Sequence, residues 1–79
     1  MATRAQQALA KILQDDWDGA HYMIQHDADT AACHIHAYLH RVEGDLANAH
    51  YWYAQVGLSM PSNSLDEELQ HLLSRYYAE

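Results

Sequence analysis

The stretch that decides the fold covers residues 29–57 and reads DTAACHIHAYLHRVEGDLANAHYWYAQVG. Asp29 is a typical N-cap residue, and the apolar residues behind it recur at helical spacing. Gly44 can adopt the left-handed conformation that ends a helix, and Asp45 can cap the next helix directly. The two inward stripes are Ala32, Ile35, His36, Leu39 and Val42, then Leu46, Ala49, His50, Tyr53 and Val56. This pattern predicts two α-helices joined by a tight turn, with Gly57 ending the second.

Three more helices are predicted outside this hairpin. The first begins with a capping box of Thr3 and Gln6, and the last with a capping box of Ser64 and Glu67. The helix between the first one and the hairpin starts behind the aspartates at 15–16. Their apolar stripes are Ala5, Leu9, Ile12 and Leu13; Trp17, Ala20, His21 and Ile24; and Leu65, Leu69, Leu72, Leu73 and Tyr76. Five helices without a strand predict an all-α fold.

Two segments of the chain repeat each other. Residues 16–22 (DWDGAHY) align with residues 45–51 (DLANAHY), so that Asp, Ala, His and Tyr coincide. Such a repeat indicates two stacked helical hairpins, in which Ala20 and Ala49 allow close helix crossings. The predicted architecture is one domain over residues 1–79, with two stacked antiparallel helical hairpins and a C-terminal helix that caps the second.

Length, charge and cysteine content exclude several classes of protein. A chain of 79 residues forms one small domain, and it contains no apolar run of the ~20 residues that a membrane helix needs. Four Lys and Arg against eleven Asp and Glu give a net charge of −7, which disfavours binding to nucleic acid. Cys33 is the only cysteine, so it forms no internal disulfide, and the start of the chain lacks the pattern of a signal peptide. We therefore expect a cytoplasmic protein without a membrane or nucleic-acid partner.

The second hairpin resembles a tetratricopeptide repeat over residues 30–61. The positions that carry this resemblance match the family's small, turn, aromatic and proline positions, and they are Ala37, Gly44, Ala49, Tyr53 and Pro61. Cys33, His36 and His40 depart from the pattern, since the family usually places Trp, Leu and Tyr there. Residues 36–53 are also similar to small uncharacterised microbial proteins, a similarity that implies no activity. The tetratricopeptide resemblance implies a protein-interaction module without catalysis.

The same resemblance implies where a partner would bind. In that family the first helix of each hairpin lines a peptide groove, and the matching residues here are His34, Tyr38 and Arg41. A cation beside two polar rings suits a carboxylate or an acidic peptide. Trp52 offers a second surface, because the consecutive aromatics at 51–53 cannot all face one core. We therefore expect a protein or peptide partner in the groove, and a homodimer through Trp52.

Histidine and cysteine residues support an alternative function. Cys33, His36 and His40 share one face of a predicted helix, because they are three and four residues apart. His21 and His50 lie in the apolar stripes of two other helices and can face the same interior. Imidazole and thiolate are ligands that zinc, copper and nickel ions prefer. The alternative is a protein that binds a transition metal or senses metal or redox state.

Two other interpretations of the histidines stay open. Inward histidines in a helical bundle commonly hydrogen-bond to hydroxyl, carboxylate or carbonyl groups, and the chain offers six tyrosines as partners. This is the commoner case, so our primary prediction is that no cofactor is bound. Catalysis has less support, because the chain contains no HExxH motif, no glycine-rich phosphate loop and no nucleophile elbow.

Overall fold

The computed structural model describes residues 2–77, and this range contains five α-helices and no strand. The helices are α1 (Arg4–Leu13), α2 (Trp17–Ile24), α3 (Thr30–Glu43), α4 (Leu46–Gln55) and α5 (Leu65–Leu72), which continues into a π-helical turn over Leu73–Tyr77. The all-α prediction is confirmed. No helix in this range is long and apolar enough to cross a membrane. Met1, Ala78 and Glu79, which belong to the predicted domain, lie outside the described residues.

The helix ends follow the signals in the sequence. Capping boxes are present at Thr3 and Ser64, where each side chain accepts a hydrogen bond from the backbone three residues later. The carboxylates of Asp29 and Asp45 cap α3 and α4 in the same way. Gly44 has a φ of +85° and ends α3 in the left-handed conformation. Local side-chain chemistry therefore sets where these helices begin and end.

The helices pack as two hairpins around α3. The most extensive contacts join α1 with α2 and α3 with α4, and α3 also contacts α1, α2 and α5. The π-helical turn after α5 returns to α1. Ala20 and Ala49 are both completely buried, as close helix crossings require. The largest fully buried side chains are Leu9, Ile24, Ile35, Leu39, Tyr53 and Leu72.

Candidate metal centre

Three histidines from two helices meet where the hairpins pack together. His21 comes from α2, and His36 and His40 stand about one turn apart on α3. One ring nitrogen of each lies within 4.8 Å of the others, and the Nε2 atoms of His21 and His36 are 3.1 Å apart. Nitrogen ligands of a tetrahedral zinc ion are about 3.3 Å apart, since each Zn–N bond is about 2.0–2.1 Å long. The hydrogen-bonded Nε2 atoms of His21 and His36 are therefore close to the spacing that one ion requires, and a ring nitrogen of His40 lies within 4.8 Å of both. We call His21, His36 and His40 the histidine cluster.

Helix geometry explains why these rings converge. Residues four apart share a helix face, so the rings of His36 and His40 stack with their centroids 4.8 Å apart. His21 approaches both rings edge-on, at 4.7 Å from His36 and 5.5 Å from His40. Trp17 fixes the start of α2 against α3, because its indole Nε1 donates to the Leu39 carbonyl at 2.8 Å. One bond to the backbone of α3 thus holds α2 where His21 meets the other two histidines.

Two tryptophans flank the histidine cluster. Trp17 stacks on His21 with 4.9 Å between ring centroids, and Trp52 of α4 stacks on His36 at 4.0 Å. His36 and His40 are only 4 % and 8 % exposed, whereas His21 is half-buried. An ion in the cluster would be shielded by the two indoles and would be reached from the side of His21.

His40 has a carboxylate partner. Its Nδ1 lies 2.6 Å from Oε1 of Glu43, and Nδ1 is the donor because an ionised carboxylate can only accept. This bond fixes the orientation of the ring and leaves Nε2 as the nitrogen that is free to bind a metal ion. Metal-binding histidines in proteins commonly hold such a carboxylate on the nitrogen opposite the metal. The pair of His40 and Glu43 therefore has the form of a ligand with its orienting partner.

His36 carries a polar atom that no described residue satisfies. Its Nδ1 is buried and has no hydrogen-bond partner within residues 2–77. Burial, followed by the neighbouring His21 and His40, lowers the pKa of His36 to about 4. Burial and then His40 also lower the pKa of His21. Both rings are therefore neutral near pH 7, which is the form that binds a metal ion.

Cys33 is not part of the histidine cluster. It is buried on α3 but comes three residues before His36, about 4.5 Å further toward the start of the helix. His21 meets α3 beside His36 and His40, so the structure does not bring Cys33 to the same point. Burial, followed by the charge of Asp29, raises the pKa of the Cys33 thiol, which keeps it protonated at neutral pH.

His50 also lies outside the cluster, and its side chain is exposed. The expectation that it faces the interior is corrected by the rotation of α4 about its axis. Ala49 and Tyr53 pack against α3, and Trp52 takes the neighbouring position over His36. Successive residues are ~100° apart on a helix, so this rotation turns His50 toward solvent.

The residues predicted to line a peptide groove bind the last helix of the same chain. Glu68 of α5 is 2 % exposed, and its carboxylate accepts hydrogen bonds from Arg41 at 2.8 Å and from the Tyr53 hydroxyl. His34 stands 3.7 Å from the same carboxylate, and Tyr38 is buried. Arg41 and His34 thus hold an internal carboxylate, and α5 covers the predicted groove.

The buried Glu68 carboxylate is ionised. Burial alone would raise the pKa of Glu68, but the neighbouring His34 and the hydrogen bonds from Tyr53 and Arg41 outweigh it and lower the pKa. Burial, followed by the hydrogen bond to Glu68, strongly raises the pKa of Tyr53. The phenol therefore stays protonated and donates to the carboxylate.

Trp52 has a partner within its own chain. It stacks on His36 and packs beside Ala37, Ala49 and Tyr53. The three consecutive aromatics are thus divided between the interior, the flank and the surface of one molecule, since Tyr51 is exposed. A second copy is not needed to cover Trp52, and the homodimer stays a prediction.

Two carboxylates, Glu43 and Glu68, contact predicted site residues, and of these only Glu43 was expected from the sequence to be able to pair with an inward histidine. Glu43 follows His40 by three residues on a helix, and this spacing was a signal for the pairing. Glu68 follows Leu65 by three residues and precedes Leu72 by four, so it lies on the apolar stripe of α5. A carboxylate in such a stripe indicates a buried partner, although the partner comes from a distant helix.

Comparisons with protein-family models, with curated proteins and with solved structures find no match to this chain. The resemblance to tetratricopeptide repeats therefore rests on the residues of the second hairpin alone.

Proposed function

We propose that the protein binds one transition-metal ion through His21, His36 and His40. The observation that carries the proposal is the convergence of three imidazole nitrogens within 4.8 Å of one another, with two of the rings buried. Imidazole suits zinc, copper and nickel ions, whereas magnesium and calcium prefer oxygen ligands. The carboxylate behind His40 adds support from an independent contact.

The ion would connect the two hairpins. His21 belongs to α2 in the first hairpin, while His36 and His40 belong to α3 in the second. Because binding requires both hairpins to be packed together, its free energy adds to the stability of the folded state. Three protein ligands leave a fourth position for water or a small ligand. This combination favours reversible binding or sensing of a metal over a closed structural site.

Calorimetric titration of the untagged, chelator-treated chain with zinc chloride tests the proposal. We expect one ion per chain, and a loss of affinity of more than about 100-fold for His36→Gln or His40→Gln. His50→Gln is the matched control, because His50 is exposed and outside the cluster. Circular dichroism shows whether each variant keeps its helices. The proposal is wrong if folded His36→Gln binds zinc like the wild type, or if His50→Gln weakens binding equally.

Glu43 provides a graded test of the same site. If the carboxylate orients His40, Glu43→Gln weakens zinc binding by about 10- to 100-fold without changing the stoichiometry. Unchanged zinc affinity in this variant would show that Glu43 has no role in the site. The histidine variants test the three ligands separately.

The protein-interaction role has less support from this geometry. The groove that the resemblance implies is filled by α5. Glu68 of this helix already forms a hydrogen-bonded ion pair with Arg41. A peptide could bind there only if it displaced a buried, hydrogen-bonded carboxylate. Metal binding requires no such rearrangement of the fold.

A further inference from the structure

We infer that a second site, independent of the proposed metal function, binds a small organic cation. The site is a cleft of about 290 Å³ between the turn that joins α1 to α2 and the helices α3 and α5. Its walls are apolar or aromatic, and they are formed by Ile12, Trp17, Tyr38, Leu39, Val42 and Leu69. This size lies near the lower end of the range of about 300–1,000 Å³ for ligand pockets, so the ligand is a small molecule.

The charges in the cleft have one sign. Asp15 and Asp66 are its only charged lining residues, and no lysine, arginine or histidine lines it. Asp15 has a φ of +57° and is the only non-glycine residue in the described range with positive φ. A left-handed backbone is uncommon outside glycine, although aspartate tolerates it better than most residues. Two carboxylates at the edge of an apolar cleft attract a cation and repel an anion.

Tyr38 supplies an unpaired polar group to the same cleft. Its side chain is 5 % exposed and lines the cavity. The hydroxyls of Tyr53 and Tyr76 bond to Glu68 and His34, whereas that of Tyr38 has no hydrogen-bond partner among residues 2–77. Burial, followed by the charges of Glu68 and Asp66, raises the pKa of Tyr38, so the group is a neutral phenol. The ring of Tyr38 is buried, while its unpartnered hydroxyl is accessible from the cleft and can hydrogen-bond to a ligand there.

The chemistry of the lining selects the class of ligand. No group of three metal-ligating side chains within the described range includes Asp15 or Asp66, so the cleft offers a metal ion fewer than three clustered protein ligands. An ammonium group can bind the carboxylates and donate to the Tyr38 oxygen, while an apolar or aromatic body fills the cleft. The ligand is thus a protonated amine on a small apolar or aromatic body.

Nuclear magnetic resonance with phenethylammonium chloride tests this inference on the full chain. Both tryptophans stack on histidines of the cluster, but only Trp17 lines the cleft, so in chelator-treated protein its indole N–H reports on the cleft and that of Trp52 is the internal reference. A Trp52→Phe variant assigns the two signals. We expect phenethylammonium to shift the Trp17 signal in a saturable way below about 10 mM, a weak affinity typical of small ligands. Neutral 2-phenylethanol should bind about three- to tenfold more weakly, and anionic 3-phenylpropionate should not bind.

Matched carboxylate variants separate a specific site from general attraction to an acidic protein. Asp66→Asn and Asp15→Asn should each weaken phenethylammonium binding by about three- to tenfold, and asparagine tolerates the positive φ at position 15. Asp18→Asn removes the same charge from an exposed position outside the cleft and should leave the affinity unchanged. The inference is overturned if no Trp17 shift occurs, if 2-phenylethanol binds equally well, or if Asp18→Asn weakens binding as much as Asp66→Asn. Repeating the titration with His36→Gln keeps this result separate from the fate of the metal site.

Discussion

Gly44 shows how one residue sets the turn of the second hairpin. Its φ is +85°, and no atom lies within 4 Å of the position that a Cβ would occupy. A substitution there meets no steric obstacle, so its cost is the left-handed backbone alone. We expect Gly44→Ala to lower the free energy of unfolding by about 1 kcal/mol, and Gly44→Asn to lower it less. Urea denaturation measures both, and an alanine variant as stable as the wild type would contradict this role.

His36 makes the metal-free protein sensitive to mild acid. Its pKa is about 4 in the folded protein and 6.5 in the unfolded chain, so the unfolded chain binds more protons between these values. The contribution of the neutral His36 ring to the free energy of unfolding is complete above pH 6.5. It falls by on the order of 2–3 kcal/mol as the pH drops toward 4. Denaturation in the presence of a chelator at several pH values measures this slope. His36→Gln should flatten it, and stability that rises on acidification would show that His36 is not buried as a neutral ring.

Glu68 acts in a lower pH window than His36. Its pKa is lowered from 4.5 in the folded protein. Its contribution to the free energy of unfolding is therefore complete above pH 4.5, and it is lost as the pH falls through the pKa of the folded state. The two residues therefore predict acid unfolding in two successive ranges. His36→Gln should reduce the loss of stability in the upper range, to which the lowered pKa of His21 also contributes, and leave the lower range unchanged.

The helix caps were predictable from the sequence, because each depends on residues close together in the chain. The directions of the side chains were predictable only in part. The caps at Thr3, Asp29 and Ser64 depend on neighbouring residues in the chain, and all three are present. His36 and His40 meet because they are four residues apart on one helix. The direction of His50 depends instead on how α4 rotates against α3, which the packing of Trp52 decides. No pattern within α4 contains that information.

Among the elements, the crossing of α3 and α4 depends on small side chains. Ala37 and Ala49 are completely buried where these helices meet. Ala49→Leu should overpack the crossing and cost about 1–3 kcal/mol. Ala47→Leu is the control on the same helix, since Ala47 is exposed, and it should be close to neutral. Equal thermal midpoints for the two variants would show that the helices cross elsewhere.

The docking of α5 depends on the buried pair of Arg41 and Glu68. Removing either partner leaves the other charge buried, so Glu68→Met or Arg41→Met should each cost about 3–5 kcal/mol. The double variant removes both charges and should cost less than the sum of the two single changes. A double-mutant cycle measures this coupling. Strictly additive costs would mean that the pair does not hold α5 in solution.

The existence of α5 was predictable, but the contact that fixes it was not. The capping box at Ser64 and the apolar stripe that ends at Leu72 mark the helix in the sequence. Arg41 and Glu68 are 27 residues apart, and their meeting depends on the path of the connection between α4 and α5. Pairing across such a distance follows from tertiary packing, which a local pattern does not describe.

At the scale of the whole molecule, the charge balance agrees with a protein that binds cations. The net charge is −7, and three of the four basic residues, Arg4, Lys11 and Arg41, already form ion pairs within the described range. The unpaired carboxylates therefore dominate the electric field around the molecule, which concentrates cations near it. Both proposed ligands, a transition-metal ion and a small organic ammonium, carry the sign that this field favours.

The central claim is that His21, His36 and His40 bind one ion together, and ¹⁵N resonances of the imidazole rings test it most directly. The chain has seven histidines, and each ring nitrogen reports metal coordination by a large change of its chemical shift. With one equivalent of zinc, we expect one nitrogen to change in each ring of the histidine cluster. The rings of His26, His34, His50 and His71 should keep their metal-free shifts. Zinc coordination by any of these four instead of the cluster, or no coordination at one equivalent, would contradict the account.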